Sequence, residues 1–387
     1  MMPPLKICVV SGGRADFGLL LPVMQAIAAD DAFRLQLVVT GQHLLDGGEA
    51  ARKLADQSDL AIAAAVDMGL DGDAPAAIGA AAGRGLSGMA EAFGSLQPDL
   101  LILLGDRYEI ACAAIAATIA RIPVAHIAGG DVTEGAFDDA FRHAITKLAH
   151  LHFVTNADAA RRVRQMGESD GRIHVVGSPG LDLIRATPVM ARDAFFAEVG
   201  LEPRPVNLLI TFHPATLSED SLAQLEAMLA ALASCDAGLL FTGSNADPEG
   251  RRIDARVQDF VASHPAARFV ISLGSARYFS ALTHMDAMVG NSSSGLYEAP
   301  SFGLPAVNIG DRQKGRLRAA SVFDCPPQEK AIREAIAAAL GRGRQPTENP
   351  YGDGHAAERI VAVLKAIGDP RGLLVKSFAD LPIHEAA

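Results

Sequence analysis

This chain of 387 residues is poor in cysteine, carries no excess of basic charge and has no apolar run long enough to span a bilayer. Its four cysteines (Cys8, Cys112, Cys235, Cys325) lie far apart and form no CxxC pair. Neither a disulfide framework nor a thiolate metal site is therefore expected. Cys8 and Cys112 fall within apolar runs, where the thiol serves as a small buried hydrophobe. A formal net charge of −11 argues against a nucleic-acid or membrane-surface partner, for which a basic patch is the signature. An anionic ligand stays open, because a few arginines in a cleft dominate the local field. A bilayer span needs about 20 apolar residues, and no stretch approaches that. The first strand-like run starts at Leu5, which leaves no room for a signal peptide, so the expected compartment is the cytoplasm.

What is present is ordinary globular material: 49% hydrophobic residues, with 37 glycines and 21 prolines spread along the chain. The length predicts about two domains. Short apolar runs at Leu5–Val10, Leu35–Thr40, Leu100–Leu104, Val124–Ile127, His152–Thr155 and Ile173–Val176 read as buried strands. Ala-rich amphipathic segments lie between them, among them Leu19–Ala29, Ile110–Ala120 and Ala140–His150. After Pro179-Gly180 and a polar stretch through Arg204-Pro205 the alternation restarts. Strands are expected at Leu208–Thr211, Leu239–Thr242, Phe269–Ser272, Ala287–Val289 and Ala306–Ile309. Helices Leu222–Ala233, Ile253–His264, Tyr278–Thr283 and Lys330–Leu340 lie between or after these, and a last helix is expected over His355–Ile367. This βαβα order implies parallel sheets covered by helices on both faces. The expected fold class is α/β, with two Rossmann-like domains facing across a cleft, residues 1–182 and 183–366. A C-terminal tail, 367–387, is expected to pack back on the first domain. Ligands of such folds bind at the carboxyl ends of the strands.

Polar residues concentrate at those strand ends. Gly290-Asn291-Ser292-Ser293-Ser294-Gly295 follows Ala287–Val289 and opens a helix-like segment. Small residues let the backbone approach a ligand, and N–H groups at a helix start favour an anion. The stretch is either a cradle for a nucleotide diphosphate or a Ser-capped helix on a glycine turn. Glu298, one turn deeper, has the chemistry to accept hydrogen bonds from ribose hydroxyls. The loop Asn308–Arg316 places Arg312, Lys314 and Arg316 around glycines and is expected to neutralise the diphosphate.

Arg14, in the turn Ser11–Asp16, is either a grip for a phosphate or base edge, or the partner of Asp16. Asp106, Arg107 and Glu109 cluster after Leu104, where burial and the guanidinium pull a carboxyl pKa in opposite directions. Asp131, Glu134, Asp138 and Asp139 fall within nine residues and are followed by Arg142, His143 and Lys147. Crowded carboxylates push each other's pKa values apart, which makes one an acid and another a base. A Mg²⁺ site is the competing reading. Asp138 and Asp139 also suit a helix N-terminus, with Arg142 as their helical partner. His213, held by Pro214 at a strand end, suits acid–base work or phosphate contact. Asn245 and Asp247 form a further polar tip.

Taken in order, Gly13–Gly18, Gly105–Glu109, Thr133–Ala136 with Asp138–Thr146, His213-Pro214, Asn245–Asp247, Gly290–Glu298 and Asn308–Arg316 cover nearly the whole chain. With them the sequence resembles the hydrolysing UDP-N-acetylglucosamine 2-epimerases that supply N-acetylmannosamine for sialic acid synthesis. The resemblance implies the glycosyltransferase-B architecture, with UDP mostly on the C-terminal domain and a UDP-sugar as partner. It further implies a dimer or tetramer of like chains, no nicotinamide cofactor and no obligatory metal. Asp106, Asp138 and His213 fall on catalytic positions, and Asp131 and Glu134 are added as candidates for the proton transfers. Arg14, Ser292, Ser293, Glu298 and Arg312 fall on nucleotide-binding positions. Arg107, Glu109, Arg142, Asn245, Asp247, Asn291, Ser294, Gly295 and Arg316 complete the expected binding residues.

The implied reaction removes the C2 proton as UDP leaves C1, giving a 2-acetamidoglycal that is rehydrated with inversion at C2. One departure stands out. Related epimerases often carry His-Ile-Glu-Gly-Gly-Glu where this chain has Ala128 and Asp131, which bears on the base and on the sugar. Hydrolysing relatives also act on UDP-N,N′-diacetylbacillosamine and on a GDP-linked analogue. A retaining glycosyltransferase and a non-catalytic nucleotide-sugar sensor are the alternative classes, and the acids of Asp131–Asp139 speak against the sensor.

Overall fold

The computed structural model describes residues 3–72, 74–132, 138–214, 221–244 and 250–380. The chain forms two compact units, Met1–Leu183 with Gly352–Ala387, and Ile184–Tyr351. In the first unit seven strands make one parallel sheet: β1 (Leu5–Ser11), β2 (Phe33–Thr40), β3 (Ile62–Val66), β4 (Leu100–Leu104), β5 (Val124–Ile127), β6 (Leu151–Val154) and β7 (Ile173–Val175). Their spatial order is β3-β2-β1-β4-β5-β6-β7. Along β1, Ile7 and Val9 enter one core while Cys8 and Val10 enter the core on the other face. Burial on both sides is why these strands read as unbroken apolar runs.

The second unit repeats the plan with β8 (Asn207–Thr211), β9 (Gly238–Thr242), β10 (Ala267–Val270), β11 (Ala287–Gly290), β12 (Ala306–Ile309) and β13 (Val322–Cys325). The order is β10-β9-β8-β11-β12-β13, again parallel throughout. Its core joins Leu208, Ile210, Phe241 and Val289 of the sheet to Leu225, Leu232, Val257 and Ile336 of the helices.

One sequence-based boundary is corrected. The last helix, Ala356–Ala366, was expected with residues 183–366, but it packs in the first unit. Ala357, Ile360 and Leu364 are buried in the core that holds β1 and the helix Arg14–Ala28. Asp182 caps this helix: Ala356 N–H donates to Oδ2 at 3.0 Å and Ala357 N–H to Oδ1 at 2.9 Å. The segment that follows also lies on the first unit. Arg172 donates to the carbonyls of Leu373 and Val375, and Lys376 Nζ donates to Glu168 Oε1 at 3.0 Å. No described helix is long and apolar enough to cross a membrane.

Candidate active site

Each sheet reverses its strand order once, between β1 and β4 in the first unit and between β8 and β11 in the second. Open α/β sheets bind ligands outside the strand ends at such points.

In the first unit the chain leaves β1 through Gly12 and Gly13 into the helix Arg14–Ala28, and leaves β4 through Gly105 into the helix Tyr108–Ile119. Asp16 and Glu109 each lie in the first turn of their helix. Because β1 and β4 are neighbours, the two carboxylates meet over Gly12. A Cβ there would sit 2.9 Å from Glu109 Oε1 and 3.2 Å from Asp16 Oδ2, so glycine is required. Arg107 Nε donates to Glu109 Oε1 at 2.5 Å, and the Glu109 side chain is 1% exposed. Glu109 Oε2 is buried with no partner among the described residues. Asp106 pairs with Arg142 of the helix Asp138–Leu148, and Arg142 also lies 3.9 Å from Asp139.

Burial, and then the charge of Asp106, raise the Asp138 carboxyl. Burial, reinforced by Glu109, pushes Asp16 up to about 6. Four carboxylates thus share this corner with two guanidiniums. Crowding of like charge in partial burial disfavours the ionised form, which is why Asp16 and Asp138 are both raised.

Three further residues shape the corner. His126 is fully buried; its Nε2 bonds the Gly105 carbonyl at 2.8 Å and its Nδ1 lies 3.1 Å from Thr146 Oγ1. Burial pushes this imidazole down to about 3, so it is neutral. Asp131 accepts from Thr155 Oγ1 at 2.7 Å, which fastens it to the end of β6. Ala128, with φ +62°, holds a left-handed turn beside Gly129 and Gly130. Arg14 is exposed and makes no ion pair among the described residues; Asp16 instead accepts from Gly12 N–H at 3.3 Å. Among the described residues no group of three or more His, Cys, Asp or Glu side chains is placed to hold a metal ion.

In the second unit the serine stretch is divided between internal structure and an open tip. Asn291 is buried, and its amide bonds both backbone groups of His213, accepting from N–H at 2.7 Å and donating to the carbonyl at 2.8 Å. The Asn291 carbonyl accepts from Arg312 Nη1 at 3.2 Å and from Gln313 Nε2 at 2.8 Å. Burial, aided by Arg312, pushes His213 down to about 4, so its ring is neutral at pH 7. Ser294 is occupied by Tyr278, whose hydroxyl donates to Oγ, and by Glu298. Gly295 packs toward Ala306 of β12, which a Cβ would approach to 3.3 Å. Ser292 and Ser293 remain half-buried at the tip.

The helix expected here is a single turn, Ser294–Tyr297, followed by a 3₁₀ turn over Ala299–Phe302 that contains Pro300. So short a helix sums few peptide dipoles, and positive potential at this tip comes chiefly from Arg312. Glu298 is raised by burial, against the pull of Ser294 and Arg316. Arg316 donates to Gln313 Oε1 at 2.8 Å and lies over the Tyr297 ring at 5.7 Å.

Of the residues singled out from sequence, Asp106, Arg107, Glu109, Asp138 and Arg142 converge in the first unit, and His213, Asn291, Arg312 and Arg316 in the second. Glu134, Asn245 and Asp247 lie outside the described residues. Sequence reasoning passed over Asp16 except as a partner for Arg14, although its place in a strand-end turn was the available signal. Tyr278 and Gln313 carried none.

Two parallel α/β units of this topology, with polar residues at both strand-order reversals, place the chain in the Rossmann-like, glycosyltransferase-B fold class. Within that class it belongs to the UDP-N-acetylglucosamine 2-epimerase family, whose profile matches residues 25–365. It is 36% identical over 365 residues to the UDP-N,N′-diacetylbacillosamine 2-epimerase (hydrolyzing) of Legionella pneumophila, spanning 94% of this chain and 96% of that one. It is 35% identical to the GDP/UDP-N,N′-diacetylbacillosamine 2-epimerase (hydrolyzing) of Campylobacter jejuni, with 84% and 85% of the two chains covered. The crystal structure of UDP-GlcNAc 2-epimerase from Neisseria meningitidis bound to UDP-GlcNAc superposes with a TM-score of 0.79 at 16% identity, covering 94% of this chain and 100% of that one.

Proposed function

We propose that this chain is a hydrolysing 2-epimerase of UDP-linked 2-acetamido sugars. The observation that carries the reading is the crowding of Asp16, Asp106, Glu109 and Asp138 with Arg107 and Arg142 at one strand-order reversal. Elimination needs an ionised carboxylate to take the C2 proton and a protonated one nearby to return it. Asp106, beside Arg142, suits the base, and a neighbour with a raised pKa suits the acid. The C2 proton is only weakly acidic, so charge developing on the departing diphosphate must be stabilised. Arg312, neutral His213 and the tip at Ser292 and Ser293 supply donors for that purpose. Glu134, Asn245 and Asp247 keep their proposed roles on the sequence alone.

Among sugars, UDP-N,N′-diacetylbacillosamine is favoured by the names of the Legionella and Campylobacter relatives. UDP-N-acetylglucosamine, yielding N-acetylmannosamine for a sialic-acid-type pathway, is the second reading and is supported by the family profile. We place the enzyme in the cytoplasm, in keeping with four free cysteines. A dimer or tetramer is supported by Ile115 and Ile119, which are 41% and 71% exposed on one helix.

The test is incubation with each UDP-sugar, and with the GDP-linked analogue, in D₂O without an acceptor. Release of nucleoside diphosphate together with a sugar inverted and deuterated at C2 is expected. Turnover only when an acceptor is supplied would sink the reading in favour of a glycosyltransferase. Tight UDP binding with no turnover under any condition would favour a sensor.

A further inference from the structure

Asp16 differs from the two ion-paired acids of its corner. Asp106 has Arg142 and Glu109 has Arg107, whereas Asp16 makes no ion pair among the described residues and accepts only the Gly12 amide, at 3.3 Å. Its carboxylate nonetheless lies against the most buried acid of the site. Glu109 Oε1 and Asp16 Oδ2 approach the Gly12 Cβ position to 2.9 and 3.2 Å. Gly41, with φ +59°, closes the other side, where a Cβ would lie 2.8 Å from the Gly12 carbonyl and 3.3 Å from Glu109 Oε1. Two glycine-lined approaches therefore converge on a carboxylate whose second oxygen, Oε2, is buried and unpartnered among the described residues. Such an oxygen calls for a donor that the described protein does not supply.

The charged groups around Asp16 come from every neighbouring element. Asp106, Arg107 and Glu109 come from the end of β4, Asp138 and Arg142 from the helix after β5, and Arg14 from its own helix. His43, from the turn after β2, lies 2.9 Å from Ser11 Oγ and is kept neutral by burial. Both guanidiniums of the site are already taken. Asp16 and Asp138 are the two carboxyls of the corner without an ion pair among the described residues. Asp16 is the one seated against buried Glu109 over Gly12, and burial with that neighbour raises it to about 6 against the pull of Arg107.

We propose that Asp16 is a further catalytic residue, the acid that returns a proton to C2. The assignment rests on the hydrolysing reading above. In the first step a carboxylate base takes the C2 proton, the C2–H electron pair forms the C1–C2 double bond, and the C1–O bond breaks with its pair leaving on UDP. In the second step the Asp16 O–H bond breaks and its proton joins C2, while the oxygen of water bonds C1. The proton shed by that water returns to the Asp16 carboxylate. The base releases its proton to solvent, which balances the extra negative charge on free UDP. No metal, oxidant or reductant is needed.

The experiment compares wild type with Asp16→Asn and Asp16→Glu on the same UDP-sugars, following UDP, the inverted sugar and free 2-acetamidoglycal separately. Asp16→Asn is expected to bind UDP as wild type does and to lose about 10²–10⁴-fold in formation of the inverted sugar. UDP and glycal should still be released, because elimination does not need this proton. Asp16→Glu should recover part of the lost rate. In wild type, the rate of inverted-sugar formation should decline as pH rises through about 6 while UDP release does not, and that limb should be absent from Asp16→Asn. Unchanged product formation in Asp16→Asn, or the same limb in both proteins, overturns the role of Asp16 alone. Wild type that turns over none of the sugars overturns the hydrolysing reading and the role of Asp16 with it.

Discussion

The side-chain amide of Asn291 completes the backbone of His213, bonding its N–H at 2.7 Å and its carbonyl at 2.8 Å. The serine stretch is thereby tied to the end of β8 through a residue whose amide oxygen and nitrogen both bond the backbone. Asn291→Ala should lower stability by about 1–3 kcal/mol, because two buried backbone groups lose their partners. His213→Gln, which keeps the backbone, should retain stability and lose turnover. Urea denaturation of both variants checks this; equal stability of Asn291→Ala and wild type would remove the structural role.

Gly290, just before it, has φ +141°, and a Cβ would lie 1.9 Å from the Thr211 carbonyl oxygen. Gly290→Ala is expected to cost about 3 kcal/mol or more, since neither backbone dihedral nor neighbour can give way cheaply. A thermal melt matching that of wild type would contradict the geometry.

Asp106→Asn keeps the shape of the corner but removes the carboxylate beside Arg142. Turnover should fall about 10²-fold or more while UDP affinity stays within error. Calorimetric titration with UDP alongside the kinetic assay separates the two, and undiminished kcat would take Asp106 out of the mechanism.

Acidification should destabilise the fold well above the carboxylate range. Burial pushes His126 down to about 3 and His150 and His213 to about 4, against about 6.5 in the unfolded chain. Between those values the unfolded state binds more protons, so stability falls as pH drops from about 6.5 toward 4. Glu168 acts in a different window. Burial alone would raise it, but hydrogen bonds from His152, Lys147 and Lys376 bring it down to about 2. Its contribution is present above the ordinary glutamate pKa and is lost only as pH falls through about 2. Melting temperature measured from pH 8 to pH 4 should therefore start falling near 6.5, and a flat profile down to pH 5 would refute the assignment.

Lys376 reaches the buried carboxylate of Glu168 at 3.0 Å and also bonds the carbonyls of Lys147 and Ala149. Lys376→Met should cost about 1–3 kcal/mol, with Lys147 and His152 still holding Glu168. Activity per folded molecule should be unaffected. Limited proteolysis should cut the segment beyond Pro370 faster in this variant, and equal rates would deny the clasp.

Central strands were legible because burial on both faces leaves an unmistakable apolar run: Leu100–Leu104 and Val124–Ile127 lie where the pattern predicts them. β3, Ile-Ala-Ala-Ala-Val at one sheet edge, and β13, with exposed Asp324, lacked that signature. The helix Pro75–Leu96 was hidden by five glycines, which lower helix propensity. Two of them are explained by packing, since a Cβ at Gly85 would strike Met68 and one at Gly88 would strike Val66, each at 2.6 Å.

Residue order by itself determined the α/β class, the strand ends that carry polar residues and the chemical types gathered there, because hydrophobic periodicity and glycine turns are local properties. Which acids meet was decided only by tertiary structure. Asp16 and Glu109 are 93 positions apart and become neighbours solely because β4 pairs with β1. The same holds for the last helix, whose apolar face gives no sign of which core it will enter until Asp182 caps it in the first unit. A carboxyl's pKa follows from who surrounds it, and that company is set by strand order rather than by sequence distance.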